Sequence, residues 1–338
     1  MSTRQHCTPV TQLLGPADAA DPTLDPDRLL GVVRFSDRSG GPDLTAGHPV
    51  LEIETTRDAA EASTEVWLSD RTVVRGSREG LVYGHDGEYL FCAGRVEQAN
   101  GYTTPTREAY VNALRLAEDL DYPHVFRMWN FVTDINGDNE DGLEIYRDFC
   151  QGRAEAFEEL SVDLEELPAA TGVGALGGGI AFYFLATRTG HRVNVDNSRQ
   201  MPAYRYPKRY GPRSPSFARA THLRPDGARG SEGSLYVSGT ASIVGHESLH
   251  PDDIVAQCRE TFDNLAHLIN SDNLAEQGVS RHHHLEDLRN IKVYVRHAEH
   301  LDTVRKLCAE VFDEEAAICF LNVDICRAEL LVEIEGMV

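Results

Sequence analysis

Two groups of residues in this 338-residue chain have the chemistry to handle an anionic substrate. The first lies between Arg199 and Arg229, where eight basic residues (Arg199, Arg205, Lys208, Arg209, Arg213, Arg219, Arg224 and Arg229) stand against one acid, Asp226. The chain around it is acidic, with 32 Lys+Arg against 54 Asp+Glu, so a local cationic cluster implies a local task. Arginine suits the binding of carboxylate or phosphate because its planar fork donates two parallel hydrogen bonds. Tyr204, Tyr206 and Tyr210 add apolar walls that carry hydroxyls. Four prolines and one glycine between Pro202 and Pro215 predict a shaped loop rather than a helix or strand. The competing reading is a solvated basic loop with tyrosines packed beneath it.

The second group is at the C-terminus, where Glu329-Leu-Leu-Val-Glu333-Ile-Glu335-Gly alternates with period two. A strand here sets Leu330, Val332 and Ile334 on one face and Glu329, Leu331, Glu333 and Glu335 on the other. An ordinary strand would turn those carboxylates to solvent. Partial burial would instead raise a carboxyl pKa and make it a proton donor near neutrality, a role for which Glu333 and Glu335 compete. Between residues 142 and 160, a helix would project Tyr146, Cys150, Arg153 and Phe157 from one side. An arginine on the apolar side of a helix is costly unless it meets an anion, either a ligand or a nearby glutamate.

Several short motifs suggest other chemistry and fail on context. Gly172-Val-Gly174-Ala-Leu-Gly177 has the GxGxxG spacing, with Asp196 about where a ribose-binding acid would fall. Pro168-Ala-Ala precedes it, however, and a β-like run at 180–185 replaces the required helix. His246-Glu247-Ser-Leu-His250 has the HExxH spacing, but Gly245 and Pro251 bracket it, so its histidines share no helical face. Asp134-Ile-Asn136-Gly-Asp138 opens like a calcium loop, then puts Asn139 at the turn glycine and Ile145 at the bidentate glutamate. His282-His283-His284 reads as a solvent-facing tract. Cysteines at 7, 92, 150, 258, 308, 319 and 326 are odd in number and include no CxxC, the pattern of reduced thiols.

These residues need a frame, and the sequence describes one twice. A strand at 89–96, a helix opening at Thr104-Pro105 and a strand at 125–132 form the first copy. The helix shows one apolar face, Tyr110, Ala113, Leu114, Ala117 and Leu120. A strand at 235–244, a helix opening at Pro251 and a strand at 291–295 form the second. Asp252 and Asp253 fall in the first turn of that helix, where carboxylates favour the dipole. Its buried stripe is Ile254, Cys258, Thr261, Leu265 and Ile269. Each copy continues into another helix, near 142–160 and 299–312, and Gly94 takes the place in the first that Gly239 takes in the second. Two related α+β halves follow, each a mixed sheet with helices on one face. The expected division is a loose arm over 1–25, one half over 26–165 and another over 166–338, with the join in the glycine-rich 167–179.

A length of 338 residues and 41% hydrophobic composition fit about two domains with real cores. A net charge of −22 argues against binding nucleic acid or anionic membranes. There is no run of about 18 apolar residues and no apolar leader in MSTRQHCTPV, so a cytoplasmic protein is expected.

Six segments together resemble the chorismatase family. They are RMWNFVTDIN (127–136), GLEIYRDFCQGRAEAF (142–157), LPAATGVG (167–174), YRYPKRYGPRSPSFARAT (204–221), SGTASIVGHESLH (238–250) and LLVEIEG (330–336). The resemblance implies two halves of YjgF/RidA-like fold and cleavage of chorismate, with release of pyruvate, without metal or organic cofactor. It implies Glu333 as general acid, with Glu335 its competitor, and Tyr146, Arg153, Tyr206 and Arg219 as grips on the carboxylates and ring. Gly239 and Cys326 stand where the branch making only 3-hydroxybenzoate has them, implying a small, dry pocket. Strict alternation would put Cys326 and Glu333 on opposite faces, so a bend at 324–328 is required; a buried structural thiol is the plain alternative for Cys326. Expected products are 3-hydroxybenzoate and pyruvate. The alternatives are a hydrolase yielding a dihydroxycyclohexadiene carboxylate, a RidA-like enamine/imine deaminase, or a binding protein without turnover. A monomer is expected, since two halves supply internally what RidA proteins obtain as trimers.

Overall fold

The computed structural model describes residues 10–15, 24–226 and 233–338. Among these residues, nineteen strands and five α-helices build three large sheets and one small ribbon. The first sheet holds β1 (Val10–Leu14), β2 (Leu29–Ser36), β3 (Gly40–Asp43), β4 (Val50–Glu54) and β5 (Ser63–Leu68). The second holds β6 (Val74–Arg78), β7 (Leu81–His85), β8 (Tyr89–Val96), β9 (His124–Thr133), β10 (Ala169–Ala175) and β11 (Ile180–Thr187). Helices α1 (Thr103–Asp119) and α2 (Ile145–Glu159) lie between its strands in sequence. The third holds β12 (His191–Val195), β13 (Ala220–Arg224) and β14 (Ser234–Ala241). After them come the ribbon of β15 (Ile243–Val244) and β16 (Glu247–Ser248) and helices α3 (Ile254–Ile269) and α4 (Ser271–Glu276). The sheet is completed by β17 (Arg289–Val295), helix α5 (Leu301–Ala309), β18 (Ile318–Leu321) and β19 (Val332–Met337).

Strand order makes the duplication explicit. The second sheet runs β10-β9-β11-β8-β7-β6 and the third β18-β17-β19-β14-β13-β12, the same path with the same parallel pair, β9–β10 or β17–β18, at one edge. The first sheet, β1-β5-β2-β4-β3, repeats the directions of β8-β11-β9-β10 in β1-β5-β2-β4, with no α-helix among its described residues. Inner faces of all three sheets meet in one aromatic core, where Trp129 stacks on Tyr183 at 4.5 Å and Phe35, Trp67, Tyr236 and Tyr294 are buried around them. Helices α1 and α2 cover the outer face of the second sheet, and α3 and α5 that of the third. Full burial of each such aromatic contributes about 1.5–3 kcal/mol.

Four sequence boundaries move. The join does not fall at 165/166: β10 pairs with β9 and β11 with β8 and β9, so the sheets change between Thr187 and His191. The glycines that suggested a linker serve close approach instead. A Cβ on Gly174 would meet the Asp324 backbone at 2.9 Å, and one on Gly172 would crowd the Tyr146 ring at 3.3 Å. Within the expected loose arm, Val10–Leu14 is an edge strand paired with β5; residues 1–9 and 16–23 lie outside the described residues. Helix α3 opens at Ile254, because Asp252 has φ 62° and Asp253 serves as N-cap, accepting from the Ala256 amide at 2.9 Å. The last strand starts at Val332, so Glu329 and Leu331 leave the shared face, while Glu333 and Glu335 keep it. No helix among the described residues is long and apolar enough to cross a membrane.

Candidate active site

A cavity of about 260 Å³ opens between the second and third sheets, and of the eight site residues the resemblance implies, all but Glu335 line it. Helix α2 supplies Tyr146 and Arg153, the long β12–β13 loop Tyr206 and Arg219, and β14 Gly239. The β18–β19 loop supplies Cys326, and β19 supplies Glu333. Cys326 needs no parity reset within a strand: Ile325 bridges to Val173 of β10, and regular pairing resumes only at Val332.

Glu333 and Glu335 point the same way from β19 and meet different surroundings. Glu335 is fully engaged. It accepts from Arg127 at 2.8 Å and from the Trp129 indole at 2.7 Å, pairs with Lys292 at 3.0 Å, and accepts from the Thr171 hydroxyl. Burial alone would raise its pKa, but Lys292, Arg127 and these hydrogen bonds outweigh it and hold the carboxyl below its ordinary value. Glu333, 4% exposed, accepts one side-chain hydrogen bond among the described residues, from the Cys326 thiol, Sγ donating to Oε2 at 4.0 Å. Burial, reinforced by the Glu335 charge, pushes it up to about 8, against the opposing pull of Arg219 and Arg127. It is therefore a protonated acid at neutral pH.

Gly239 makes room for this carboxyl. It sits where the β14–β19 register slips between Val237 and Thr240, and a Cβ there would fall on Glu333 Oε1. Its amide donates to Thr171 Oγ1 at 2.9 Å, which joins the backbone beside Glu333 to the group holding Glu335. Burial keeps the Cys326 thiol well above its ordinary pKa, so it is a neutral weak donor and not a thiolate.

Two buried guanidiniums face the cavity without a carboxylate partner among the described residues. Arg153, 5% exposed, donates to the Ser216 carbonyl at 2.8 Å and lies over the Phe157 ring at 4.9 Å. Arg219, 2% exposed, donates to Tyr206 Oη at 2.7 Å and to the Met201 carbonyl at 3.0 Å. The Nε of each is buried and unpaired. The glutamate partner envisaged for Arg153 is not there. The basic run divides in the opposite sense: Arg199, Arg205, Arg209 and Arg213 pair with Glu260, Glu165, Glu247 and Glu158. Arg209 and Arg219 alone of its described cations reach the cavity; Arg229 lies outside the described residues. Most of the cluster is a solvated loop laced with ion pairs, and its specific content is Tyr206 and Arg219.

Sequence reasoning missed Arg327 and Thr171. Arg327 lines the cavity with its guanidinium 4.0 Å over the Tyr210 ring and 5.1 Å over Tyr206. Its position beside Cys326 was the only signal. Thr171 was inside a matched segment, but nothing local distinguishes a strand threonine that links the Gly239 amide to Glu335. His246 lies in the turn between β15 and β16 and His250 has φ 56°, so the HExxH spacing is not helical. Among the described residues no cluster of three or more His, Cys, Asp or Glu is placed to hold a metal ion.

Known proteins share this fold. A family model described as chorismatase FkbO/Hyg5-like, N-terminal, matches residues 65–186. A 3-hydroxybenzoate synthase of Streptomyces hygroscopicus is 53% identical over 92% of this chain and 91% of that protein. A chorismatase of Streptomyces rapamycinicus is 45% identical over 93% of this chain and 94% of its own. A chorismatase crystal structure superposes with a TM-score of 0.93 at 43% identity, covering 98% of both chains. The fold is that of a chorismate-converting enzyme, and the chain belongs to the chorismatase family.

Proposed function

We propose that the protein converts chorismate to 3-hydroxybenzoate and pyruvate. The observation that carries this reading is a neutral, buried Glu333 in a cavity with two buried arginines that lack a carboxylate. Chorismate brings two carboxylates, one for each of Arg153 and Arg219, while Tyr206 and Tyr146 flank the ring. Glu333 delivers its proton to the enolpyruvyl methylene, which becomes the methyl group of pyruvate. The ring C–O bond then breaks with its electron pair going to the departing oxygen. The ring hydroxyl takes the vacated position, its proton returns to the carboxylate, and loss of one ring proton on aromatisation balances the proton that opens the bridging oxygen. No water is consumed. The hydrolytic route to the dihydroxycyclohexadiene carboxylate needs one water, and a cavity closed by the Glu333–Gly239 contact and the Cys326 side chain disfavours it. Both halves of one chain supply the site, so we take the working unit to be a single chain acting in solution.

The test is incubation of metal-stripped protein with chorismate, with products resolved by chromatography and mass detection. The expected outcome is 3-hydroxybenzoate and pyruvate in equal amounts. A dominant dihydrodiol would keep the substrate and sink the dry-pocket reading. No turnover would refute the proposed activity.

A further inference from the structure

The segment 322–331 carries Cys326 and Arg327 into the cavity and delivers the chain to Glu333. It has no regular secondary structure, so its backbone groups need partners from elsewhere. The Arg296 side chain, next after β17, supplies three of them. Its Nε donates to the Leu330 carbonyl at 2.7 Å. Its Nη2 donates to the carbonyls of Ile325 at 2.9 Å and Arg327 at 2.8 Å, and Nη1 pairs with Asp324. From the other side, Gln257 of α3 donates to the Glu329 carbonyl at 2.8 Å and accepts from the Leu331 amide at 2.8 Å. The Arg296 side chain is 8% exposed and does not line the substrate cavity, and the four hydrogen bonds its guanidinium makes all go to this one loop.

We propose that Arg296 is a positioning residue for the reaction. It gathers the carbonyls on either side of Cys326, and so fixes the thiol against Glu333 and the Arg327 guanidinium over the tyrosines. The inference rests on the chorismatase reading above. A planar fork is required because one ammonium cannot span carbonyls at 325, 327 and 330 together, which makes lysine an informative replacement. Releasing the loop lets water reach the cleaving bond, so the consequence is a change in product as well as in rate.

Arg296→Lys is compared with the wild type by chorismate turnover, product ratio and amide hydrogen exchange over 324–331. The expected result is a roughly tenfold lower kcat, part of the loss that a small displacement at a reacting centre can cause. It comes with a larger dihydrodiol share and faster exchange confined to that segment. The product ratio is decisive, because unfolded molecules make no product and cannot alter it. Unchanged product ratio and exchange in folded protein would overturn the proposal. Should Arg296→Lys fail to fold, Asp324→Ala takes its place, since that side chain is 49% exposed and removes only the Nη1 anchor. It should move both readouts the same way by less, and no movement would equally overturn the proposal. A wild type inert on chorismate would refute the activity instead, and exchange alone would then decide whether Arg296 holds the loop.

Discussion

Glu333 and Glu335 are two residues apart on one face of one strand, yet they belong to different regions of the molecule. Glu335 projects into the junction of all three sheets, where Arg127, Trp129 and Thr171 come from the second sheet and Lys292 from the third; Lys292 also pairs with Glu65 of the first at 2.7 Å. Glu333 projects into the cavity, where its neighbours are a neutral thiol and a glycine backbone. Equal burial thus gives opposite outcomes, an ionised structural carboxylate and a protonated reactive one. What separates them is the supply of donors and cations, and the Glu335 charge also pushes the Glu333 pKa up.

The largest effect should come from replacing the acid. Glu333→Gln keeps the shape and removes the proton, so kcat should fall about 10²–10⁴-fold. Its stability should move the other way. A carboxyl whose folded pKa is about 8, against an ordinary 4.5, binds more protons folded than unfolded between those values, so stability falls as pH rises through that window. Glutamine abolishes that loss, and Tm at pH 9 should exceed wild type. A lower Tm at pH 9 would mean that Glu333 is not a buried neutral acid. Wild-type kcat/KM should correspondingly drop as pH passes about 8.

Glu335→Gln tests the other member of the pair. Breaking a buried ion pair typically costs about 3–5 kcal/mol, here because Arg127 loses its carboxylate and Lys292 keeps only Glu65. Removing the Glu335 charge also lifts one of the forces that raise the Glu333 pKa. The alkaline limb of kcat/KM should therefore shift towards neutrality in whatever protein remains folded. A limb left in place would show that desolvation alone sets the Glu333 pKa.

How far the sequence could see this follows from which features are local. Strands, helices and the duplicated order were legible because apolar periodicity and turn residues report on each element by itself. Period two put Glu333 and Glu335 on one face correctly, and helical spacing grouped Tyr146, Cys150 and Arg153. Their difference was not legible, because the groups that decide it stand at 127, 129, 171 and 292, up to 208 positions away. The same limit applies to the basic run, whose partners Glu158, Glu165, Glu247 and Glu260 lie on other elements. The glycines near 172–179 misled for a related reason: a glycine selected for close approach to Asp324 or Tyr146 looks, in sequence, like a linker glycine.

Two equivalent glycines sharpen the contrast between the halves. Gly94 pairs with Phe182, whose ring a Cβ would strike, whereas a Cβ on Gly239 would strike the Glu333 carboxyl. Gly239→Ala should displace the proton donor and lower kcat by about 10²-fold with little change in Tm, since a flexible carboxylate can yield. Gly94→Ala overpacks a closed core and should cost about 1–3 kcal/mol of stability with kcat per folded molecule unchanged. The contrast fails if Gly239→Ala lowers only stability, or if Gly94→Ala slows the chemistry.

The smallest expected effect is at Cys326. Its thiol is a weak, neutral donor 4.0 Å from Glu333, so its loss should cost only a few-fold in kcat. Its volume matters more than its polarity. Alanine would leave a space beside the carboxyl for a water that Glu333, once ionised, could activate, and the dihydrodiol share should rise. Serine fills nearly the same space and brings a stronger hydrogen bond to Glu333, so it should retain more 3-hydroxybenzoate than alanine. Matching product ratios for Cys326→Ala and wild type, read by the same chromatography, would assign the exclusion of water to Gly239 and the 322–331 loop and reduce Cys326 to packing.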